Sequence, residues 1–422
     1  MKVLIVGKGG REHALAWKIS QSELRPEIHV APGHAGKLRL ARNVKIGDDD
    51  IGGLYNYVRD EKIDLTIIGP ELPISMGLAD ILEANRYPVF APSFRAARLE
   101  TSKIFAKNFM VRHDIPTADF RAFQRVYVAE EYIASTPERP LVVKASGLAG
   151  GKGVLLPNTR SQASYAVGLL METDAFGNHD EIVIEERLEG KEMSFFTITD
   201  GANVHHLGFA QDYKRRDNGD TGPNTGGMGS ICHPHRFGFQ SSGPYFKQAA
   251  MIAESTIEGM AREGFPYRGV LYTGFMAVGA DLHVLEYNCR FGDPETQAMM
   301  PLFEDDILPM LYSVAKGTLR EPVSMVDRVS VCVTMADSGY PGSSKDQGDI
   351  ITGIDTPVHD TVVFHAGTDF NGASTLVNGG RVISVVGTGR HVTEAQDNAY
   401  HKVGKITWGY GPRYRTDIGE GR

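Results

Sequence analysis

Residues 141–154 read LVVKASGLAGGKGV, an apolar stretch that ends in Lys144 and leads through a glycine-rich loop into a second apolar stretch. A Walker A phosphate-binding loop would have Ser or Thr after its lysine and then a helix, whereas Gly153 and Val154 follow Lys152 here. Strand, glycine loop and strand in this order are typical of a flap that closes over nucleotide phosphates, with Lys144 as a point charge on a phosphate oxygen. The alternative is a mobile hairpin with a solvated lysine.

The next apolar stretch, residues 182–184, is followed directly by Glu185 and Glu186 and then by RLEGKE. At a hinge between two lobes, strand backbone can pair with the edge of an adenine ring, and an acid a few residues later can accept a hydrogen bond from a ribose hydroxyl. Taken alone, such a segment is more often a strand end with solvated carboxylates.

A further strand pattern, HVLEYN, is followed by CRFGDPE. Because strand side chains alternate between two faces, Glu286 and Asn288 are predicted to share one face, roughly 7 Å apart. Leu285 and Tyr287 are predicted on the other face. A carboxylate and an amide oxygen at this spacing suit Mg²⁺. Arg290 then provides a fork-shaped cation that matches a carboxylate or a phosphate, which weakens the alternative of a plain edge strand.

The first glycine cluster, GKGGREH at residues 7–13, follows a predicted strand and opens a predicted helix. The amides and the dipole of a helix N-terminus favour phosphate. A dinucleotide fingerprint would need Gly at position 12 and an acid after the second strand, but Glu12 stands at the first place and HVAPG ends the second strand. We therefore predict a phosphate-binding turn that is not for NAD, with a plain turn as the alternative and a structural role for His13.

A third cluster, QDYKRRDNGDTGPNTGGMG at residues 211–229, reads as a long polar loop. Loops of this length in a compact domain are usually functional or disordered. The Asn, Thr and paired Gly residues favour backbone and hydroxyl contacts with a small polar ligand.

The first 100 residues alternate short apolar runs with helical patterns, which predicts a doubly wound parallel sheet. The helical patterns include residues 12–20, 54–61 and 74–85. The middle of the chain combines longer strands and helices, and from about residue 326 strands and tight turns dominate. We predict an α/β and α+β multidomain protein with boundaries near residues 102, 124, 190 and 326.

Composition excludes several classes of function. The 422 residues carry a formal net charge of −8, and no basic run marks a nucleic-acid or membrane surface. Glycine contributes 48 residues, about 11% against an average of ~7%, which requires turns or close backbone approaches to a ligand. Three cysteines without C-x-x-C spacing argue against a disulfide framework or a zinc site, and the missing signal segment predicts a cytoplasmic protein. Cys289 is expected to be a small core residue.

The order of these parts resembles the ATP-grasp fold, in which two lobes hold ATP between them. The resemblance extends to the phosphoribosylamine–glycine ligase family, through the segments GKGGREHA, KASGLAGGKGV, EERLEGKE, DTGPNTGGMG, NCRFGDPETQ, GYPG, FHAGT and NGGRV in family order. RTDIG at residues 415–419 resembles the family's C-terminal signature. The resemblance spans essentially the whole chain, and DTGPNTGGMG and NCRFGDPETQ are its most specific motifs.

This resemblance implies an ATP-dependent carboxylate–amine ligase of purine biosynthesis. The carboxylate of glycine would take the γ-phosphoryl group of ATP, giving glycyl phosphate and ADP. The amine of 5-phosphoribosylamine would then displace phosphate and form glycinamide ribonucleotide. The implied cofactors are ATP and Mg²⁺, with Mn²⁺ as a substitute. The implied partners are small molecules, with no nucleic acid and no membrane, and a transient contact with the enzyme that supplies phosphoribosylamine.

The resemblance also assigns roles to individual residues. The nucleotide contacts would be Lys103, Lys144, Gly150, Gly151, Gly153, Glu185, Glu186, Leu188 and Glu192. Among these, Glu186 and Leu188 would offer backbone to adenine, and Glu192 would hold the ribose. The metal ligands would be Glu286 and Asn288. The phosphoribosylamine pocket would be formed by Gly9, Gly10, Asp212, Lys214, Thr225, Gly226 and Gly227. Arg290 would face the glycine carboxylate and the acyl phosphate with Asp293 nearby, so the catalytic assignments are Arg290, Lys144 and Asp293.

The implied organisation has four parts. Residues 1–102 would form the substrate-binding N-terminal domain, residues 103–123 and 191–325 the central ATP-grasp lobe, residues 124–190 the lid lobe, and residues 326–422 the strand-rich C-terminal domain. Many ATP-grasp enzymes carry a second metal carboxylate on the strand before Glu286, but Gly274 stands there in this chain, which leaves a second metal site open. The competing readings are a bicarbonate-dependent ATP-grasp ligase, a nicotinamide oxidoreductase built on residues 1–100, and a non-catalytic binding protein.

Overall fold

The structure is a computed structural model that describes residues 1–33, 41–148, 153–173, 180–233, 243–320 and 322–420. Two of the predicted nucleotide-binding residues, Gly150 and Gly151, lie outside these ranges.

The N-terminal hundred residues form a five-stranded parallel sheet in the order β3-β2-β1-β4-β5 with helices between the strands. The elements are β1 Lys2–Gly7, α1 Gly10–Ile19, β2 Glu27–Pro32, β3 Ala41–Asn43, α2 Ile51–Glu61, β4 Leu65–Ile68, α3 Glu71–Ser75, α4 Leu78–Ala84, β5 Val89–Phe90 and α5 Arg98–Thr101. The predicted doubly wound sheet is therefore confirmed. The single helix predicted over residues 74–85 is wrong, because Gly77 at φ +80° separates α3 from α4.

A second, smaller sheet has four antiparallel strands in the order β6-β9-β7-β8. The elements of this part are α6 Lys103–Arg112, β6 Phe120–Phe123, α7 Val126–Ser135, β7 Leu141–Ala145, β8 Val154–Leu155, α8 Arg160–Met171 and β9 Ile182–Glu186. Its own apolar core joins α7 and α8 to the strands through Ile133, Val143, Val167 and Ile184. β6 belongs to this sheet although it precedes residue 124, where the sequence suggested that the lid begins.

The rest of the chain is built around an eight-stranded sheet in the order β16-β15-β10-β11-β14-β17-β21-β18. Its strands and helices are β10 Lys191–Thr199, β11 Val204–Asp212, β14 Gly229–Cys232, α9 Pro244–Arg262, β15 Gly269–Val278, β16 Asp281–Asn288, α10 Glu295–Met299, α11 Ile307–Lys316, β17 Val329–Ala336, β18 Thr361–His365, β21 Arg381–Gly389 and α12 Val392–Val403, with a 3-10 turn at Met300–Leu302. The hairpins β12 Arg215–Asp217 with β13 Thr221–Asn224, and β19 Thr368–Phe370 with β20 Thr375–Val377, stand outside it. The sheet continues without interruption from β14 to β17 and so crosses residue 326.

Two local features differ from the sequence predictions. Residues 211–229 are not one long loop, because β12 and β13 pair into a hairpin and β14 begins at Gly229. The pairing of β15 with β16 shifts between Gly274 and Phe275, where Glu286 and Val284 are the successive partners, so Leu285 is an extra residue on its strand. As a result Leu285 lines the same cavities as Glu286, and the prediction that it faces away is wrong.

These sheets and helices confirm the mixed α/β multidomain class. Cys232, Cys289 and Cys332 are free and buried, as expected for Cys289. Among the residues that the structure describes, no helix is both long and apolar enough to cross a membrane.

Candidate active site

A buried cluster of two lysines and one glutamate lies where the small sheet meets α6. Lys144 at the end of β7 and Lys107 on α6 approach the same Glu185 oxygen, Oε2, at 3.0 and 3.1 Å. Burial lowers the pKa of Lys107 to about 8, against the attraction of Glu185. Lys107 also donates a hydrogen bond of 2.7 Å to Thr117. One carboxylate thus compensates two ammonium groups in a region that is closed to solvent.

A cavity opens beside this cluster, between the small sheet, α6 and the strand β16. It is lined by Leu99, Glu100, Lys103, Ala106, Lys107, Met110, Glu185, Leu285, Glu286 and Tyr287. Glu185 is 2% exposed, and its second oxygen, Oε1, is buried without a hydrogen-bond partner among the described residues. The cavity therefore combines an apolar wall with a lysine pair and an acceptor that lacks a donor.

The strand β16 brings Glu286 to the junction of this cavity with a second one. The bulge at Leu285 turns its carbonyl toward Lys144, whose Nζ donates a hydrogen bond of 3.1 Å to it. Burial alone would raise the pKa of Glu286, but Lys214, Lys103, Lys144 and Arg290 together lower it to about 2. Glu286 is therefore fully ionised and lies at the centre of four cations.

The second cavity lies on the other side of Glu286. It is lined by Glu192, Met193, Ser194, Asp212, Lys214, Tyr272, Gly274, Phe275, Leu285 and Glu286. The Nζ of Lys214 lies 3.7 Å from Glu192 and 3.9 Å from Glu286. Burial opposes its charge, but Glu192 and further acidic groups raise the pKa of Lys214 well above its ordinary value. Gly274 pairs with Glu286 across the ladder and adds no carboxylate to this cavity.

Arg290 is held by groups from two other parts of the chain. Its Nε lies 3.1 Å from Glu71, and its Nη2 lies 3.2 Å from Glu100 and donates to Asn288 Oδ1 at 3.2 Å. Although burial opposes its charge, the carboxylates of Glu100 and Glu71 raise the pKa of Arg290. The guanidinium group is thus fixed beside both predicted metal ligands, Glu286 through its charge and Asn288 through a hydrogen bond.

Asp293 lies against the turn that precedes α1. Its Oδ2 accepts a hydrogen bond of 3.4 Å from the Arg11 amide, and its Oδ1 lies 3.2 Å from Arg381. Burial opposes the charge of Asp293, but Arg381 and Arg11 lower its pKa below the ordinary value. The Gly9 amide donates a hydrogen bond of 2.6 Å to Glu12 Oε2. Two protein carboxylates therefore take positions at the helix N-terminus that the sequence suggested for phosphate.

The glycines around Asp293 permit close packing of three chain segments. A Cβ at Gly9 would lie 3.2 Å from Asp293 Oδ2, and one at Gly10 would lie 2.5 Å from Gln297 Nε2. Gly227 has φ +111°, and a Cβ there would overlap the Pro294 ring. Each of these positions has room for a hydrogen atom only.

Gly226 and Thr225 connect the end of the hairpin to the C-terminal part of the chain. The Gly226 carbonyl accepts a hydrogen bond of 2.5 Å from Arg381, and its amide donates to Tyr340 Oη at 2.9 Å. Arg381 Nη1 also donates to the Asp293 carbonyl at 2.7 Å. Thr225 Oγ1 donates to the Lys214 carbonyl at 2.8 Å and closes the base of the hairpin.

Asp212 and Glu295 form a pair of neighbouring acids between these groups. Burial and the Glu295 carboxylate raise the pKa of Asp212, and burial also raises the pKa of Glu295. Asp212 Oδ1 is buried without a hydrogen-bond partner among the described residues, and Glu295 is 2% exposed.

Among the predicted hinge residues, Glu185 and Glu192 line the two cavities, whereas Glu186 and Leu188 line neither. The Glu186 amide donates to the Asp119 carbonyl at 3.0 Å, so this amide is occupied within the protein. Leu188 is half-buried in the segment between β9 and β10, and Glu192 is exposed at the start of β10, where it lines the second cavity. Gly153 is buried directly before β8.

The structure thus brings the predicted residues together as two neighbouring groups. The two cavities are lined by Lys103, Glu185, Glu192, Asp212, Lys214 and Glu286, and Lys144 contacts the lining residues Glu185 and Leu285. Gly9 and Gly227 lie beside Asp293, and Gly10 and Gly226 lie beside its hydrogen-bond partners Gln297 and Arg381. Arg290, Asn288 and Glu295 lie between the two groups.

Several charged residues of the site were not predicted. They are Glu71, Glu100, Lys107, Glu295 and Arg381. Lys107 follows Lys103 by one helical turn and so shares its helix face, a signal that the sequence offered. The others become recognisable only through partners that are distant in the chain.

The chain matches three family models. They are described as "Phosphoribosylglycinamide synthetase, N domain" over residues 1–100, "Phosphoribosylglycinamide synthetase, ATP-grasp (A) domain" over residues 101–296, and "Phosphoribosylglycinamide synthetase, C domain" over residues 330–421.

Curated relatives match over the full length. The chain is 42% identical to a protein named phosphoribosylamine–glycine ligase from Vibrio cholerae, covering 99% of this chain and 98% of that protein. It is 41% identical to one of the same name from Caldanaerobacter subterraneus, covering 100% of both.

Among solved structures, the phosphoribosylamine–glycine ligase of Thermotoga maritima is similar with a TM-score of 0.87 and 33% identity, covering 99% of this chain and 100% of that one. The biotin carboxylase domain of the Hydrogenobacter thermophilus 2-oxoglutarate carboxylase is similar with a TM-score of 0.71 and 15% identity, covering 98% and 91%. The second likeness shows the fold alone, and the family model over residues 101–296 confirms the ATP-grasp architecture.

Proposed function

The chain belongs to the phosphoribosylglycinamide synthetase family as an ATP-grasp ligase, and we propose that its site joins glycine to 5-phosphoribosylamine through glycyl phosphate. A glycine carboxylate oxygen attacks the γ-phosphorus of ATP, and the bond to ADP breaks. The phosphoribosylamine nitrogen then attacks the acyl carbon, loses a proton, and inorganic phosphate leaves. The products are glycinamide ribonucleotide, ADP and phosphate. Since glycyl phosphate carries its own leaving group, the protein needs only to position the reactants and neutralise charge.

The nucleotide would occupy the cavity between the small sheet and α6. Lys103 and Lys144 would bind its phosphates, with Gly153 and the glycines at 150 and 151 as the covering flap. Glu186 and Leu188 would offer backbone carbonyl groups to the base, since the Glu186 amide is already occupied. The unpartnered Glu185 oxygen supports this placement, because it suits a donor such as the exocyclic amine of adenine. Glu192 would accept a hydrogen bond from the ribose.

Glu286 and Asn288 fit a magnesium site that the phosphates would complete. Glu286 is ionised, both groups offer oxygen, and among the described residues no cluster of three or more acidic, His or Cys side chains forms a closed metal cage. Mg²⁺ is commonly bound by one or two protein oxygens together with substrate phosphates, where it neutralises phosphate charge. Lys214 lines the same cavity as Gly274, the position of the second carboxylate in many ATP-grasp enzymes, and its ammonium group lies 3.9 Å from Glu286.

Arg290 would bind the glycine carboxylate and then the acyl phosphate. Its position between Glu100, Glu71 and Asn288 fixes the guanidinium plane without enclosing it completely, since 18% of the side chain is exposed. A guanidinium group aimed at developing phosphate charge stabilises the transition state.

Phosphoribosylamine would lie where the turn before α1, the hairpin base and Asp293 meet. Gly9, Gly10, Thr225, Gly226 and Gly227 would shape this pocket, with Asp212 and Lys214 on the side of the acyl phosphate. Asp293 would orient the substrate together with Arg381, since that arginine joins Asp293 to the Gly226 carbonyl.

The observation that best supports this function is the convergence of Lys144, Lys214 and Arg290 on Glu286, which lines both cavities. The test is ADP formation by the purified chain with MgATP, glycine and freshly generated phosphoribosylamine, supplied together and one at a time. We expect turnover only when both glycine and phosphoribosylamine are present, with glycinamide ribonucleotide as the product. ADP formation that persists without glycine would disprove the proposal. Bicarbonate dependence would indicate a carboxylating enzyme, and tight NADH binding an oxidoreductase.

The family's role in purine biosynthesis supports two further parts of the proposal. The enzyme would act in the cytoplasm, and it would receive its unstable amine through transient contact with the enzyme that supplies it.

A further inference from the structure

The signature RTDIG, residues 415–419, has no role in the proposed reaction, yet its arginine is one of the most deeply buried side chains. Arg415 is 1% exposed. Its Nε and Nη2 atoms each donate a hydrogen bond of 2.7 Å to the Asp417 carboxylate. A buried arginine needs hydrogen-bond partners for all of its donors. The contacts of the third guanidinium nitrogen therefore show which segment of the chain Arg415 supports.

That third nitrogen, Nη1, reaches the hairpin formed by β12 and β13. It donates to the Arg215 carbonyl and to Asp220 Oδ1, both at 3.1 Å. The guanidinium carbon also lies 5.0 Å from the centre of the Tyr213 ring. One side chain therefore touches the hairpin at its first strand and at its tip, and also touches Tyr213, two residues before the hairpin.

The residues after Arg415 continue this contact. Thr416 exchanges two hydrogen bonds with the Asn218 side chain, at 2.6 and 3.0 Å. Asp417 accepts from the Gly219 amide at 2.9 Å, and the Gly419 amide donates to Tyr213 Oη at 2.6 Å. Residues 413–419, here called the C-terminal clamp, thus cover the hairpin from base to tip.

The C-terminal clamp is itself anchored to α12. Tyr400 Oη donates to the Arg415 carbonyl at 2.9 Å and accepts from the Ile418 amide at 3.0 Å. Gln396 donates to the Ile418 carbonyl at 2.8 Å. Ile418 is fully buried, and a Cβ at Gly229 would lie 2.9 Å from it. The C-terminal clamp therefore connects the hairpin to the packed helix α12.

The hairpin needs such support because a two-stranded hairpin is only marginally stable by itself. Its tip residues Asn218, Gly219 and Asp220 are exposed. Lys214 directly precedes β12 and Thr225 directly follows β13, and the Thr225 amide donates to the Lys214 carbonyl at 2.8 Å. Any displacement of the hairpin would therefore move both residues.

We propose that the C-terminal clamp is a positioning element for the ligase reaction, with Arg415 holding the hairpin so that Lys214 and Thr225 meet the substrates. This inference rests on the proposed function. It predicts that substrate binding and turnover depend on residues of the C-terminal clamp, although these residues touch no substrate.

The test compares Arg415→Ala, Asn218→Ala and Arg390→Ala in the full chain. Arg390 pairs with Glu394 on an exposed surface and serves as the control. For Arg415→Ala we expect the KM for phosphoribosylamine to rise about tenfold and kcat to fall, with the dissociation constant of MgADP unchanged. We also expect trypsin to cleave after Arg215 or Arg216 faster than in the wild type. Asn218→Ala should show the same changes in weaker form.

Each result decides the proposal. If Arg415→Ala fails to fold, Asn218→Ala carries the test, because its side chain is exposed at the hairpin tip. Wild-type KM and kcat in a folded variant whose hairpin is cleaved faster would overturn the positioning role. Wild-type cleavage rates in both variants would overturn the clamp itself. If the wild type lacked glycine-dependent turnover, the proposed function would fail, but the cleavage comparison would still decide whether the clamp holds the hairpin.

Discussion

Lys144 and Glu185 form a buried ion pair of 3.0 Å across neighbouring strands of the small sheet, and their side chains are only 7% and 1% exposed. Lys107 shares the same Glu185 oxygen at 3.1 Å. The arrangement leaves one net positive charge in a region that is closed to solvent, at the place where the nucleotide is proposed to bind. The nucleotide phosphates would balance that charge.

Replacing Glu185 by Gln should therefore destabilise the protein strongly. The substitution keeps the shape but leaves two buried ammonium groups without a carboxylate, and the loss of one partner of a buried ion pair costs about 3–5 kcal/mol. The pKa of Lys107 should fall further below about 8, since Glu185 is what opposes the effect of burial. Urea unfolding measures the first effect. Glu181→Gln is the control, because that carboxylate bonds Gln124 in an exposed place. An unfolding free energy within about 1 kcal/mol of the wild type would contradict the prediction.

Replacing Glu286 by Gln should abolish most of the turnover while the protein stays folded. The substitution removes the carboxylate at the centre of four cations, and we expect kcat to fall about 10²–10³-fold because metal and phosphate lose their anchor. Mn²⁺ binding in the presence of ADP, followed by electron paramagnetic resonance, should weaken in parallel. Glu258→Gln is the control, since Glu258 pairs with Arg262 on the surface. Normal Mn²⁺ binding by the Glu286→Gln variant would refute the metal assignment.

Local sequence patterns reveal only some of these residues. Lys144 ends an apolar strand and Glu286 lies on an alternating one, so each was found from its neighbours in the chain. Glu100 and Arg290 are separated by almost the whole central lobe, and only the folded chain brings them to 3.2 Å. The periodicity of the sequence does not indicate this pairing, because each residue has the local sequence pattern of a solvated surface charge.

Two local irregularities of the fold could also not be predicted from the sequence. The extra residue Leu285 obeys the strand pattern, and its displacement appears only in the pairing with β15. Likewise, residues 215–224 contain the turn-forming residues of a loop, but they pair as a hairpin that is hydrogen-bonded to Arg415 and its neighbours. Both cases follow from contacts with distant segments.

Acid should destabilise the protein through His365. Burial of the His365 ring lowers its pKa to about 4, below the ordinary 6.5, and outweighs the opposing effect of the Asp355 carboxylate. Between pH 6.5 and 4 the unfolded chain therefore binds the extra proton, and stability falls as the pH decreases, by up to ~1.4 kcal/mol per pH unit.

The His365→Gln variant should lose this part of the pH dependence. The measurement is the unfolding free energy at several values between pH 4 and pH 6.5, compared by slope so that an overall loss of stability does not interfere. His401→Gln, on the exposed face of α12, controls for the loss of one imidazole. A slope equal to that of the wild type would count against a buried neutral His365.

A methyl group at position 227 should disturb substrate positioning more than it disturbs folding. Gly227 has φ +111°, which an L-residue adopts only under strain of about 1–3 kcal/mol, and its Cβ would also overlap the Pro294 ring beside Asp293. Gly264→Ala separates the two effects, because Gly264 has φ +82° with open space around its Cβ position and lies outside the site. Both variants should lose stability in thermal unfolding through backbone strain, and Gly227→Ala should lose more because of the overlap with Pro294. Only Gly227→Ala should lower kcat/KM for phosphoribosylamine, by about 10²-fold, since the Pro294 ring must move and shift Asp293 with it. Equal kinetics in the two variants would show that Gly227 serves the turn alone and that the pocket lies elsewhere.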